Sequence, residues 1–290
     1  MLVTVTFTPV ELEIRDVSSA AVVAIDCFRA SASIVRALGA GAEAVYPFLS
    51  VEEAFEEREK RPGAVLAGER SGRKVEGFDL GNSPSEFTPE AVGGREVVMT
   101  TTNGTRLLSA AANAEALYVS CFLNLSATAG ALAGFAGAAG GGRTGGPPAA
   151  GEDGAPEAAG KREALFKEAG GAAGSAADGG AAGGSGGRGE VVLAAAGTEG
   201  LFSIEDALCT GLLARRLRER PGVELDDSAA FAALAAERPW EELRELCLGG
   251  RGAANVRAAG LEGDLEDCLR PDESGIVARV EREPLRIAAR

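Results

Sequence analysis

The run AAVVAIDCFRASASIVRALGAG, Ala20–Gly41, decides how this chain folds. Its first six residues are solidly apolar and suit a strand buried on both faces. Asp26 closes that strand, and from Phe28 the period lengthens. Ile34, Val35 and Leu38 then share one face of a helix that Gly39 and Gly41 stop. A buried strand feeding a helix is half of a βαβ unit, so a largely parallel sheet is expected, with ligands at the carboxyl ends of its strands.

The same alternation extends outward. Leu2–Phe7 alternates apolar residues with Thr, and Ala44–Phe48, Ala64–Ala67, Glu96–Met99, Leu117–Ser120 and Glu190–Ala196 read as further strands. Helices are expected at Val51–Arg61, Arg106–Ala112, from about Asn124 to Phe135, and after Ser203, a good N-cap. From Asp227 to Arg270 the pattern is all-helical, and Gly275–Val280 reads as a last, edge strand. The fold class is therefore α/β, a mainly parallel or mixed sheet layered with helices, with a smaller helical C-terminal lobe. Between these parts, residues 137–189 collapse to Gly, Ala, Pro and Ser. Such a segment buries too little apolar surface to offset its ordering entropy, so it reads as a low-complexity disordered insertion. Its patch KREALFKEA, Lys161–Ala169, is assigned no function. The organisation is thus residues 1–136 as an α/β core with the main loops, the insertion, and residues 190–290 continuing the core into the helical lobe.

Composition narrows the chemistry. In 290 residues there is no histidine, which excludes Ser-His-Asp and Cys-His catalysis and every His-ligated metal site. Acid–base work falls to carboxylates, Lys, Tyr or Cys, and a metal site would be built from oxygens, suiting Mg²⁺, Mn²⁺ or Ca²⁺. Five scattered cysteines without a C-x-x-C pair read as reduced cytosolic thiols. A net charge of −14 argues against nucleic acid and against an anionic membrane surface, so an anionic substrate must meet a local cluster of arginines. The N-terminus lacks a basic n-region and no long uncharged apolar run suggests a membrane span, so the cytoplasm is the expected compartment.

Three stretches carry candidate chemistry. VLAGERSGRKVEGFDLGNSP, Val65–Pro84, is too polar and glycine-rich for a core, and offers Glu69, Arg70, Arg73, Lys74 and Asp79 for a metal and an anion, with Asn82 and Ser83 before a rigid proline. A merely solvated charged loop is the alternative. TTTNGT, Thr100–Thr105, follows a strand and opens a helix, so Asn103, Gly104 and Thr105 either cradle phosphate or carboxylate or form a plain Asn-Gly turn. It lacks the P-loop pattern, so nucleotide binding is not indicated. Asp26 with Arg29 pairs a strand-end acid with a helix-start arginine, either a metal ligand beside a phosphate clamp or a helix cap beside a solvated cation. Neither the D-x-D of aspartyl phosphatases nor a C-x5-R loop is present. Glu205 and Asp206 are helix N-terminal acids or site ligands. Carboxylates from separate segments in a chain without histidine suggest a Mg²⁺ site.

In this order, IDCFRASASIVRALGAGA, LAGERSGRKVEGFDLGNSPSEFT, TTTNGT and GTEGLFSIEDALCTG resemble the 2-phosphosulfolactate phosphatase family of coenzyme M biosynthesis. The likeness covers roughly Val3–Phe135 and Val191–Val280. It implies a distinct α/β fold, a homodimer, and Mg²⁺-dependent hydrolysis of 2-phospho-3-sulfolactate, a small anionic phosphorylated substrate, to 3-sulfolactate and phosphate. On this chain it implies Asp26, Glu69, Asp79 and Asp206 as catalytic residues, Asp79 being the candidate general base or acid. Arg29, Arg70, Asn82, Ser83, Asn103, Gly104 and Thr105 would bind substrate, and Asp26, Glu69, Glu205 and Asp206 the metal. Asp264 and Asp267 look like the family's acidic C-terminal motif. The departures are the long insertion and Cys27, where an aliphatic residue is expected. Alternatives are a phosphatase for another small phosphorylated hydroxy acid and a non-catalytic anion-binding protein.

Overall fold

The computed structural model describes residues 1–139 and 189–290. Nearly all of the stretch read as a disordered insertion, including Lys161–Ala169, lies outside the described residues. In chain order the elements are β1 (Leu2–Thr6), α1 (Pro9–Glu13), β2 (Ala20–Ile25), α2 (Ala30–Gly39), β3 (Ala44–Phe48), α3 (Val51–Lys60), β4 (Val65–Arg70) and β5 (Arg73–Lys74). They continue with α4 (Pro89–Val92), β6 (Glu96–Thr100), α5 (Gly104–Ala110), β7 (Ala116–Ser120), α6 (Leu125–Ala139), β8 (Glu190–Ala195), α7 (Ile204–Arg218) and β9 (Glu224–Leu225). The C-terminal part holds α8 (Asp227–Ala235), α9 (Trp240–Leu248), α10 (Arg251–Ala258), α11 (Glu262–Cys268), β10 (Ala278–Arg282) and β11 (Leu285–Ala289).

Eleven strands form one mixed sheet, ordered β5-β4-β6-β3-β11-β10-β7-β2-β8-β1-β9. β4, β6 and β3 run parallel, as do β7, β2, β8, β1 and β9. Every residue of β2 is buried, as is all of β8 after Glu190, because helices cover both faces at the sheet's centre. The apolar face of α2 rests on β3, β7, β10 and β11, while α1 and α5 pack together over β1, β8 and β2. Local sequence sets the helix starts where it can. Ser50 Oγ accepts the Glu53 N–H at 3.0 Å and Glu53 accepts the Ser50 N–H at 3.1 Å, the reciprocal box that begins α3. Ser203 stands at the N-cap of α7 as expected, but its hydroxyl makes no capping bond and is buried without a partner.

The C-terminal strand differs from its reading. β10 is not an edge strand: it pairs antiparallel with β7 on one side and with β11 on the other, and β11 in turn meets β3. The hairpin fills the gap between the two parallel sets. Its charge-rich residues Arg279, Glu281, Arg282 and Arg286 mimic an edge, yet Val280 and Ile287 are buried. Three antiparallel pairings therefore separate β3 from β7, and the two parallel sets run in opposite senses. The segments closing β2 and β8 meet those closing β4 and β6 in one cleft.

One backbone approach holds β4 against β6 beside that cleft. Gly68 has φ +146°, and a Cβ there would lie 2.1 Å from the Thr100 carbonyl oxygen. Gly68→Ala is expected to destabilise the fold by on the order of 3 kcal/mol, since neither backbone can move aside. Gly63, at φ +95° with nothing within 4 Å of a built Cβ, isolates the conformational strain. Thermal denaturation of both alanine variants checks this: the Tm loss must be clearly larger for Gly68→Ala.

Candidate active site

The cleft encloses about 400 Å³ and is built from six places in the chain, one of them the single residue Asn82. Asp26, Phe28 and Arg29 come from the turn between β2 and α2; Glu69, Ser71, Gly72 and Arg73 come from the β4–β5 hairpin; Thr101, Thr102 and Asn103 follow β6. Thr198 and Glu199 follow β8, and Gly252, Asn255 and Ala259 mark the wall supplied by α10.

Glu69, Asp206 and the Arg29–Asp264 pair are each held by a specific device. Glu69 Oε1 accepts the Thr102 N–H and hydroxyl, both at 2.9 Å, and its Oε2 accepts the Gly72 N–H at 2.7 Å. One carboxylate thus ties the hairpin to the threonine loop. Asp206 accepts the Cys27 N–H at 2.8 Å through Oδ1 and the Gly197 N–H at 3.0 Å through Oδ2, joining the loops that follow β2 and β8. Burial nevertheless pushes its pKa well up, with the charges of Glu205 and Asp26 adding to the effect. Arg29, 5% exposed, gives one guanidinium arm to Asp264 Oδ2 at 3.0 Å and the other to the Gly72 carbonyl at 3.2 Å. Ser83 donates to the same Asp264 oxygen at 2.8 Å.

Asp26 is different. Burial, then the charges of Glu69 and Glu205, push its carboxyl up to about 7, and the Ala30 amide and Arg29 oppose this only in part. Glu205 is also raised, by burial, and its Oε2 is buried without a hydrogen-bond partner. The small residues of α10 make room for it: a Cβ at Gly252 would sit 1.8 Å from Glu205 Oε1. Asn82 Oδ1, in the cleft wall, is likewise buried and partnerless. Among the described residues no three Asp, Glu or Cys groups form a ready-made metal cage. Mg²⁺ commonly takes only one or two carboxylates, with waters and substrate oxygens completing its shell. Asp26 and Glu205, whose carboxylates are not tied down by a pair of backbone amides, are the acids best suited to that role.

Of the residues singled out in the sequence, Asp26, Arg29, Glu69, Arg73, Asn82 and Asn103 line the cleft. Gly104 lies against it, since a Cβ there would come within 3.2 Å of Asp26 Oδ2. Thr105 donates to the Thr101 carbonyl, and Ser83 stands behind Arg29. Glu205 and Asp206 are buried outside the lining itself, Asp206 bonded to the Cys27 and Gly197 amides and Glu205 against Gly252. Arg70 is drawn away, donating to the Leu49 carbonyl and Thr100 Oγ1. Asp79 is exposed, paired with Arg58 at 3.1 Å and accepting the Leu66 N–H at 2.8 Å. It is outside the cleft lining, where a general base would have to be. The wall from α10 was not anticipated. Its signal is the small-residue run GRGAA, Gly250–Ala254, where another element packs closely.

A family model described as 2-phosphosulpholactate phosphatase matches residues 6–136 and 185–283. The chain belongs to this family. It is thereby grouped with phosphoric monoester hydrolases. A protein of Caldanaerobacter subterraneus subsp. tengcongensis named Probable 2-phosphosulfolactate phosphatase is 31% identical over 92% of this chain and 90% of its own length. Relatives with the same name from Synechococcus sp. (strain CC9605) and Thermotoga maritima are also 31% identical, over 94% and 86% of this chain and 95% and 84% of their own. The two family-matched segments contain every cleft-lining residue named above. Among the described residues, no helix is long and apolar enough to cross a membrane.

The raised Asp26 pKa has a stability consequence. Asp26 ionises near 3.8 when unfolded and near 7 when folded, so the folded chain binds the extra proton between those values. The stability this provides is complete below about pH 4 and is lost as pH rises through about 7. Asp26→Asn, which mimics the neutral acid, is expected to raise the Tm at pH 8 in EDTA and to change it little at pH 4.5. The ceiling on the gain is roughly 4 kcal/mol, at about 1.36 kcal/mol per pKa unit. Calorimetry at the two pH values checks it.

Proposed function

We propose that this chain hydrolyses 2-phospho-3-sulfolactate to 3-sulfolactate and phosphate, with Mg²⁺ as cofactor. The observation that carries the reading is the cleft itself: a family match on both sides of the undescribed segment, with Asp26, Arg29, Glu69 and the Thr101–Asn103 loop converging at its inner end. Phosphoryl transfer through a loose transition state asks chiefly for positioning and charge neutralisation. Arg29, oriented by Asp264 and the Gly72 carbonyl, presents a fixed cation to the phosphoryl oxygens. Glu69 holds the threonine loop and the hairpin at a constant spacing, and Asn82 offers an acceptor that has no protein donor.

Charge balance supports a metal. Asp26, Glu69 and Glu199 line the cleft against Arg29 and Arg73, and Arg29 is already neutralised by Asp264. A substrate bearing phosphate, carboxylate and sulfonate would be repelled from such a lining without further positive charge. A Mg²⁺ ion held by Asp26 and Glu205 would supply that charge to the phosphoryl oxygens. The rest of the reaction depends on residues that bind and orient.

Phosphate release from racemic phosphosulfolactate tests the reading. Wild type with Mg²⁺ is expected to turn over, EDTA to abolish release, and Asp26→Asn to lower kcat by roughly 10²-fold or more. Asp79→Asn is expected to stay within a few-fold of wild type. Release indifferent to chelator would remove the Mg²⁺ assignment, and absence of release with any metal would remove the substrate assignment.

A further inference from the structure

The two arginines that line the cleft are held in different ways. Arg29 is buried and committed on both arms. Arg73 opens the two-residue strand β5, is exposed, and its guanidinium makes no hydrogen bond or ion pair among the described residues. Neighbouring cations are engaged elsewhere: Arg70 on Leu49 and Thr100, Lys74 on the Asp79 carbonyl at 3.4 Å. The hairpin tip also packs on the helical lobe. A Cβ at Gly72 would be 3.3 Å from Ala259 Cβ, so β5 and the end of α10 close one side of the cleft, which Arg73 and Asn255 both line.

We propose that Arg73 is a specificity-determining residue that pairs with the strong anion the substrate keeps, its sulfonate, while Arg29 serves the phosphoryl group that leaves. The inference rests on the phosphatase reading above. With the phosphate among Asp26, Arg29 and the threonine loop, the sulfonate on the adjacent carbon points away from that buried end. A sulfonate is charged at every physiological pH and is a weak hydrogen-bond acceptor, so it is recognised mainly through charge. A guanidinium free of an internal partner matches it without first breaking another ion pair. Glu199, also in the lining, repels anions and raises the selective value of Arg73, a lining cation without a partner among the described residues. An ester lacking the sulfonate gains nothing from Arg73, which makes the residue a discriminator rather than a general anchor.

The test compares 2-phospho-3-sulfolactate with 2-phospholactate, which lacks the sulfonate, in wild type, Arg73→Gln and Arg73→Lys. In wild type kcat/KM is expected to favour the sulfonated ester. In Arg73→Gln that preference should fall by roughly tenfold or more, the loss lying in KM rather than kcat, and Arg73→Lys should recover part of it. An unchanged preference in Arg73→Gln, or a loss in kcat equal for both esters, overturns the proposal. If wild type hydrolyses neither ester the phosphatase reading fails separately, and calorimetric binding of 3-sulfolactate against lactate then decides Arg73. Tighter binding of sulfolactate that Arg73→Gln removes upholds the assignment; equal affinities, or no binding by wild type, overturn it. Because Arg73 is exposed, its thermal transition is expected to match wild type, which excludes misfolding as the cause.

Discussion

Burying like charges together is the constraint on which the rest of this structure depends. Asp26, Glu69, Glu205 and Asp206 are each 7% exposed or less, and their charges act on one another. Ionised carboxylates packed this way are costly unless amides, cations or protons compensate them. The chain uses all three. Backbone N–H groups of Gly72 and Thr102 serve Glu69, those of Cys27 and Gly197 serve Asp206, and Asp26 has the Arg29 charge nearby and takes up a proton near neutrality. The loops at the strand ends are shaped by the need to deliver those amides. The arrangement that solves a desolvation problem therefore also builds the cleft.

A second device couples the helical lobe to the sheet. Asp264, on α11, reaches Arg29 and Ser83 across more than half of the chain and is itself 5% exposed. Removing one partner of such a buried pair leaves an uncompensated charge, which costs far more than the pair contributes to net stability. The ion pair is better understood as orienting Arg29 than as strengthening the fold. The lobe that supplies Asp264 also supplies Gly252 and the α10 wall, so the cleft exists only when both parts of the chain are docked.

The strands were readable because a strand covered on both faces needs an unbroken apolar run, as in Ala20–Ile25 and Val191–Ala195. The β10–β11 hairpin was not, because its few buried residues are interleaved with charges and only its neighbours on either side make it interior. Asp79 and Asp264 show the same limit at the site. Both are acids in polar stretches. One ends on the surface against Arg58, the other under Arg29, and nothing local separates them.

By itself the sequence determined the α/β class, the absence of imidazole chemistry, the family, and the short segments from which a site could be drawn. These are local or compositional properties, set by periodicity, residue inventory and motif order. Only the tertiary structure decided which carboxylates are tied up by amides, which are left with partnerless oxygens, and which arginine is locked and which is free. Those distinctions depend on burial and on partners up to 235 residues away in the chain. Desolvation and hydrogen bonding act through space, so the same Asp or Arg acquires its chemistry only from the neighbours that folding brings to it.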